Sequence, residues 1–175
     1  EVADVTDRSA LEAALGRIRL RHGPIHLVVH AAGVLRDGSV DTKSEADIAA
    51  VLRPKVQGAL TLAALTAQDP LRALVLISSL SGRLGNIGQA DYAAANAYLD
   101  ALASARSSAA RPWISLAYGP WRDTGMMKGG AEHHRIESLD PALGTELFFA
   151  ALAAPSPEIL VAKEKVTAVR ATGAP

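Results

Sequence analysis

Residues 71–103 read LRALVLISSLSGRLGNIGQADYAAANAYLDALA, and this stretch decides the fold. Its first part, residues 71–79, is a short run of apolar and β-branched side chains, the pattern of a strand buried on both faces of a parallel sheet. The glycine-rich part that follows, residues 81–90, is typical of a loop. From about residue 91 to residue 107 the sequence predicts a helix, so the stretch forms a strand–loop–helix unit.

The same alternation continues in both directions along the chain. Further strands are predicted at residues 25–30, 112–118 and 158–162, and further helices at residues 10–21, 44–67 and 141–154. Either Asp7 or Ser9 caps the first helix. Alternating strands and helices predict an α/β fold with a doubly wound parallel sheet. Ligands of such sheets bind beyond the carboxyl ends of the strands, which here means residues 31–37, 78–90 and 119–127.

Composition excludes several classes of function. The 175 residues carry 18 basic and 18 acidic side chains, so the basic excess of a nucleic-acid or anionic-membrane surface is absent. There is no cysteine, which excludes disulfides, a thiolate nucleophile and a cysteine-based zinc site. No apolar run approaches the ~20 residues of a membrane span, and the polar start is no secretion signal. We expect a cytoplasmic protein that binds neither nucleic acid nor membrane.

Four polar residues stand where this fold binds ligands. Ser79 ends a predicted strand, Tyr92 begins the following helix, and Asn96 lies four residues further on the same helical face. Lys55 lies in the preceding helix. Each has an ordinary structural interpretation: a turn-forming serine, a packed tyrosine, and a solvated asparagine and lysine. Their combination, behind Gly85, Gly88 and Gln89, favours a catalytic site instead.

At this level of detail the chain resembles the short-chain dehydrogenase/reductase superfamily, and specifically the ketoreductase domains of modular polyketide synthases. The resemblance is carried by DVTD at 4–7, HAAGVLRD at 30–37, PKVQGAL at 54–60, ISSLSGRLGNIGQADYAAANAYLDALA at 77–103 and YGPWRDTGM at 118–126. Most members of the superfamily have lysine four residues after the tyrosine. The ketoreductases exchange that lysine with an asparagine, and Lys55 and Asn96 show this exchange.

The resemblance implies NADPH-dependent reduction of a β-ketoacyl thioester, held by an acyl carrier protein, to a β-hydroxyacyl thioester. Tyr92 would be the general acid and Ser79 the hydrogen-bond donor to the carbonyl. Lys55 would lower the pKa of the tyrosine, and Asn96 would belong to a proton relay. A phenol with the ordinary pKa of about 10 is a slow proton donor, which is why a neighbouring ammonium is expected.

The resemblance also implies which residues contact NADPH. Asp4 and Val5 would contact the adenine, Ala31, Ala32 and Gly33 would lie beneath the adenosine, and Pro120 and Trp121 would lie near the nicotinamide, with Lys55 and Tyr92 also in contact. No metal site is expected, because the adjacent His133 and His134 cannot easily share one ion.

The resemblance further implies a fold that is Rossmann-like but lacks its first strands in this chain, since no G-x-G-x-x-G motif occurs. We therefore expect residues 1–162 to be part of a ketoreductase catalytic subdomain and residues 163–175 to be a linker or tail. The missing cofactor-loop half would lie upstream in the same polypeptide or in a second chain. Residues 25–30 would then form an apolar sheet edge open to pairing.

Three positions bear on the configuration of the product. Family members that give the D-hydroxyl carry Leu-Asp-Asp where this chain has Leu35-Arg36-Asp37, and members that give the L-hydroxyl carry tryptophan where it has Leu84. The retained Asp37 predicts a D-configured, B-type product, although the same aspartate could simply form a turn with Gly38. Ala94 at a position associated with epimerisation predicts none, and Met126 would begin the lid over the substrate.

Two alternatives remain open at this stage. One is an oxidoreductase of the same superfamily that acts on a free ketone or alcohol, against which the exchange of Lys55 and Asn96 argues. The other is a catalytically inactive structural subdomain or partner half of a reductase. The complete set of four polar residues argues against inactivity, and the absent cofactor loop keeps it open.

Overall fold

The computed structural model describes residues 1–122, 137–154 and 156–163. Four parallel strands form one sheet in the order β1-β2-β3-β4, which follows the order of the chain. The elements are α1 (Arg8–His22), β1 (Leu27–His30), α2 (Glu45–Leu65), β2 (Ala73–Ser79), α3 (Ser81–Leu84), α4 (Ala90–Arg106), β3 (Trp113–Tyr118), α5 (Pro141–Leu152) and β4 (Glu158–Val161). The predicted α/β fold with a parallel sheet is confirmed.

Successive strand residues point to opposite faces of the sheet, and both faces are covered at the interior strands β2 and β3. Leu74 and Leu76 of β2 belong to a core shared with α1, α2 and α4, whereas Val75 belongs to a second core shared with α5. The interior strands β2 and β3 are therefore almost wholly buried, as their continuous apolar sequences predict. Ser79 pairs in register with Tyr118, so the ends of β2 and β3 lie side by side at one edge of the sheet.

Helix α2 carries one of the predicted site residues on its buried face. The Ser44 hydroxyl accepts a hydrogen bond from the Asp47 N–H and begins the helix, which continues through Pro54 to Leu65. By length and composition alone this helix, with a mean hydropathy of 1.2, could cross a membrane. It packs instead against α4, β1 and α1, and its buried residues include Lys55, which identifies it as a core helix.

Three details differ from or refine the sequence-based prediction. β1 begins at Leu27 rather than at residue 25, and Asp7, not Ser9, caps α1. The predicted loop after β2 contains the short helix α3, which begins where the Ser79 hydroxyl accepts a hydrogen bond from the Ser81 N–H. Gly85, at φ +69°, ends this helix in a conformation that favours glycine.

β1 is an edge strand of the described sheet. Leu27 and Val29 are 42% and 43% exposed on one side, whereas Val28 and His30 are buried on the other. β1 thus stands at the edge of the described sheet with apolar side chains exposed on one face, and its pairing with another strand stays a prediction.

Candidate active site

Tyr92 lies in the first turn of α4, beside the carboxyl end of β2, where the chain folds back through α3. Burial raises the pKa of the Tyr92 phenol above its ordinary value, while hydrogen bonds from the side chains of Ser79 and Asn96 act to lower it. The negative charge of Asp37 adds to the upward shift. Three of the predicted site residues are thus brought together around one phenol.

Lys55 approaches the same phenol from helix α2. Its ammonium is buried, lies 5.6 Å from the centre of the Tyr92 ring and donates a hydrogen bond of 2.9 Å to the carbonyl of Ile77. Desolvation lowers the pKa of Lys55 to about 8, and the carboxylate of Asp100 opposes that shift. The family resemblance implied that this charge lowers the pKa of Tyr92, and that role stays a prediction. In this structure the ammonium donates to a backbone carbonyl, and burial has the largest effect on the pKa of Tyr92.

Asn96 is fully buried one helical turn after Tyr92. Its side-chain Nδ2 donates a hydrogen bond of 2.8 Å to the backbone carbonyl of Tyr92. The backbone carbonyl of Asn96 accepts a hydrogen bond of 3.1 Å from the Ser78 hydroxyl. Its Oδ1 has no hydrogen-bond partner among the described residues. Because a buried polar atom without a partner is costly, this acceptor is suited to a hydrogen-bond donor, either water or a group of a bound molecule.

Asp37 lies near Tyr92, close enough for its charge to affect the phenol. Both of its carboxylate oxygens accept hydrogen bonds from Nε2 of the buried Gln89, at 3.1 and 3.0 Å. Gln89 Oε1 in turn accepts a hydrogen bond from Asn86. Asp37 is therefore fixed against the loop that precedes Tyr92, whereas Leu84 is half exposed at the end of α3. Met126 lies outside the described residues.

The segments expected to contact a cofactor lie at two places. Ala31, Ala32 and Gly33 follow directly after β1 at the carboxyl edge of the sheet, where methyl-sized side chains leave room for a flat ligand. Val5 packs against Gly58 of α2, where an added Cβ would lie 2.9 Å from its side chain. The Asp4 carboxylate accepts hydrogen bonds from the N–H and the hydroxyl of Thr6, both at 2.8 Å. The small side chains after β1 leave space beside the sheet edge where the family resemblance places a cofactor, and the contacts of these residues with it stay a prediction.

Trp121 is the predicted cofactor residue whose side chain has a clear structural role. Its ring packs against Tyr118, with centroids 5.1 Å apart, and a Cβ added at Gly144 of α5 would lie 2.7 Å from it. The indole thus fills the space between β3 and α5. The carbonyl of Pro120, immediately before Trp121, accepts a hydrogen bond of 2.7 Å from the Leu139 N–H. This bond joins the residues after β3 to the residues before α5.

Comparison with known proteins supplies the family. Residues 1–123 match the KR domain family. The chain belongs to the ketoreductase domains of polyketide synthases. It is 43% identical over 179 residues to the spectinabilin polyketide synthase system protein NorA′ of Streptomyces orinoci, an alignment that covers 98% of this chain and 5% of that protein. The chain therefore spans only a small part of the synthases that it matches.

Solved ketoreductases share the fold of this ketoreductase chain. A ketoreductase domain from the bacillaene assembly line has a TM-score of 0.84 at 33% identity, with 91% of this chain and 41% of that one covered. A structure described as A-type ketoreductases from a modular polyketide synthase has the same TM-score and identity, with 93% and 35% covered.

Behind the predicted residues of this ketoreductase lies a charged network that sequence reasoning missed. The buried Asp100 accepts hydrogen bonds from Arg83 of α3 at 2.9 Å and from Ser115 of β3 at 2.5 Å. Arg83 also pairs with Glu158 of β4, which accepts a hydrogen bond from Ser104. Asp100 could have been found from its spacing, since it follows Asn96 by one helical turn on the same face.

His30, at the end of β1, has a structural role. Its Nε2 lies 3.2 Å from the carbonyl of Lys55, and because a carbonyl only accepts, the imidazole proton must lie on Nε2. Burial lowers the pKa of His30 to about 4, so the ring is neutral at pH 7. His30 thereby attaches the end of β1 to the turn of α2 that presents Lys55.

Proposed function

We propose that this chain carries the acid–base residues of a reductase that converts a β-ketoacyl thioester into a β-hydroxyacyl thioester during polyketide biosynthesis, with NADPH as reductant. The observation that carries the proposal is the convergence of Ser79, Asn96 and Lys55 on the phenol of Tyr92. Nothing in an inactive structural subdomain would require a buried lysine and a buried asparagine around one tyrosine, because burying polar groups is costly.

Each residue of the candidate site would have a different role in the reaction. When bound, NADPH would supply the hydride that reduces the ketone. Ser79 would donate a hydrogen bond to the ketone oxygen, and Tyr92 would give its phenolic proton to that oxygen as negative charge develops on it. The raised pKa of Tyr92 keeps the phenol protonated at neutral pH but makes it a weaker acid, so proton transfer depends on stabilising the phenolate that forms. Once the proton has left, the ammonium of Lys55 stabilises the phenolate, and Asn96 offers Oδ1 for a water that returns the proton.

The substrate would be delivered by an acyl carrier protein, as the synthase context of the relatives suggests. The cofactor-binding half of the domain would come from residues outside this chain, in the same polypeptide or in another. We further propose a D-configured, B-type product without α-epimerisation, because Asp37 retains the last aspartate of the Leu-Asp-Asp motif and Leu84 replaces the tryptophan of the other class.

The decisive variant is Tyr92→Phe in a complete ketoreductase domain that contains these residues. Loss of a general acid lowers kcat/KM by about 10²–10⁴-fold. The assay follows NADPH oxidation with a β-ketoacyl N-acetylcysteamine thioester and analyses the product by chiral chromatography. Tyr98→Phe is the matched control, because Tyr98 lies on the same helix with a 37% exposed side chain.

Each outcome has a distinct meaning. Activity of Tyr92→Phe within about tenfold of the parent would refute the assignment of the acid, because the lower limit for such a residue is about a hundredfold. A parent that folds and binds NADPH but does not turn over would favour the inactive subdomain. A predominantly L-configured alcohol would refute the interpretation of Asp37 and Leu84 while leaving the reductase activity established.

A further inference from the structure

A buried ion pair lies directly beside the proposed acid and takes no part in the chemistry above. The ammonium of Lys43 is 2.5 Å from each carboxylate oxygen of Asp91, and the two side chains are only 6% and 3% exposed. Asp91 Oδ1 also accepts a hydrogen bond of 2.9 Å from the N–H of Tyr92. The pair therefore joins Lys43, at the end of the loop after β1, to the residue that precedes the acid.

The loop of residues 36–43 is attached to the start of α4 at two further points. The Gly38 N–H donates to the Gly88 carbonyl at 2.9 Å, and Asp37 accepts two hydrogen bonds from Gln89. Gly88 has φ +77°, which favours glycine, and a Cβ added there would lie 3.6 Å from the Gly38 nitrogen. All three attachments fall on residues 88–91, immediately before Tyr92.

Polar contacts, rather than apolar packing, hold this loop. Beneath it lies a cleft of about 210 Å³ lined by Arg36, Asp37, Gly38, Thr42, Lys43 and Asp47. Because this cleft is lined by the loop itself, the position of the loop relative to α4 depends on the contacts at residues 88–91. The Lys43–Asp91 pair is the ion pair of that set, and both of its side chains are buried.

We propose that Lys43 and Asp91 are positioning residues that fix the 36–43 loop, and with it Asp37, relative to Tyr92. The proposal rests on the proposed reductase function. The 36–43 loop, which carries Asp37, and helix α4, which carries Tyr92, then keep a fixed position relative to each other. The pair therefore determines which face of the ketone the substrate presents. A purely stabilising ion pair would have no such effect on the product.

Removing one charge and removing both have different consequences. Lys43→Met or Asp91→Asn alone leaves a buried charge without its partner, which is strongly destabilising, whereas removing both charges of a buried pair is often nearly neutral for stability. In the double variant the asparagine Oδ1 can still accept the Tyr92 N–H, so the start of α4 is kept. The double variant therefore separates stability from positioning.

The experiment compares the parent, both single variants and the double variant Lys43→Met/Asp91→Asn in a complete ketoreductase domain. The control is Arg19→Met/Asp69→Asn, a pair at the opposite end of the sheet in which Asp69 likewise accepts a backbone N–H, that of Ile25. Urea unfolding gives stability, and amide hydrogen exchange reports on the Gly38 N–H. Kinetics give kcat and KM, and chiral chromatography gives the ratio of alcohol enantiomers.

We expect both single variants to lose stability and the double variant to recover it. In the double variant, exchange at Gly38 should still be about tenfold faster and the enantiomer ratio about tenfold lower than in the parent, the size expected for the loss of one tethering interaction. The control should change neither quantity. Parental exchange and parental enantiomer ratio in the double variant would overturn the proposal. If the parent shows no reduction, the proposed function fails, and the exchange measurement alone still decides whether the pair fixes the loop.

Discussion

Replacing Gly82 by alanine tests the contact that seats α3 on the active-site helix. A Cβ at this position would lie 2.8 Å from the Ala97 nitrogen and 3.0 Å from the Asn96 Cβ, and an ordinary contact begins at 3.4 Å. The backbone of α4 cannot turn aside as a side-chain tip would, so α3 or α4 must move by roughly 0.6 Å in a close-packed region. Overpacking of this kind costs about 1–3 kcal/mol. Because Asn96 is displaced with the helix, kcat/KM should also fall by about tenfold or more.

Gly16→Ala is the matched control for this prediction. Gly16 lies inside α1 with nothing within 4 Å of an added Cβ, so the same change there should increase the free energy of unfolding by about 0.5–1 kcal/mol through the helix preference for alanine. Urea unfolding of both variants measures the difference, and the ketone-reduction assay gives the effect on catalysis. If Gly82→Ala were as stable and as active as Gly16→Ala, the close contact between α3 and Asn96 would be refuted.

Three further variants test individual contacts. Lys55→Met should abolish reduction without lowering the free energy of unfolding. The reason is that the buried ammonium, with its pKa lowered to about 8, donates a hydrogen bond only to the Ile77 carbonyl among the described residues. Lower stability of the variant in urea would contradict this. Between pH 7 and 5 the parent should lose about 2 kcal/mol of stability that His30→Gln does not lose, since the unfolded imidazole, with a pKa of 6.5, gains its proton before the folded one, with a pKa of about 4. Equal pH dependence in urea would exclude His30 as the source. Gly144→Ala should cost about 1–3 kcal/mol and change the tryptophan fluorescence, because Trp121 occupies the space that the methyl group needs; an unchanged spectrum would refute that packing.

Sequence patterns were sufficient for the sheet and for the grouping of the polar residues. The continuous apolar run before Ser79 has no helical period and so predicts a buried parallel strand, which β2 is. Tyr92 and Asn96 are one helical turn apart, so their shared face follows from helix geometry alone. Family resemblance then supplied Lys55, whose position in a different helix no local spacing could connect to the tyrosine.

What the sequence did not predict depends on packing between distant segments. The glycine-rich stretch after β2 looked like a loop, but Gly82 allows α3 to lie directly on Asn96, which is a tertiary contact rather than a local preference. The pairing of Lys43 with Asp91 joins residues far apart in the chain. The pKa of Tyr92 likewise depends on the balance between burial and charge, and composition cannot give that balance.

The distribution of the proposed acid–base residues along the chain has a consequence for recombining synthases. Ser79 ends β2, and Tyr92 and Asn96 lie in α4, whereas Lys55 lies in α2. The short segment between Leu65 and Ala73, which joins α2 to β2, is a place where a breakpoint could be chosen. A chimera joined there would inherit the phenol and its hydrogen-bond donors from one parent and the ammonium from the other. That ammonium donates a hydrogen bond to the carbonyl of Ile77 in β2. The two parents must therefore pack α2 against β2 in the same way. Breakpoints before α2 or after β3 would transfer the whole acid–base set as a single cassette.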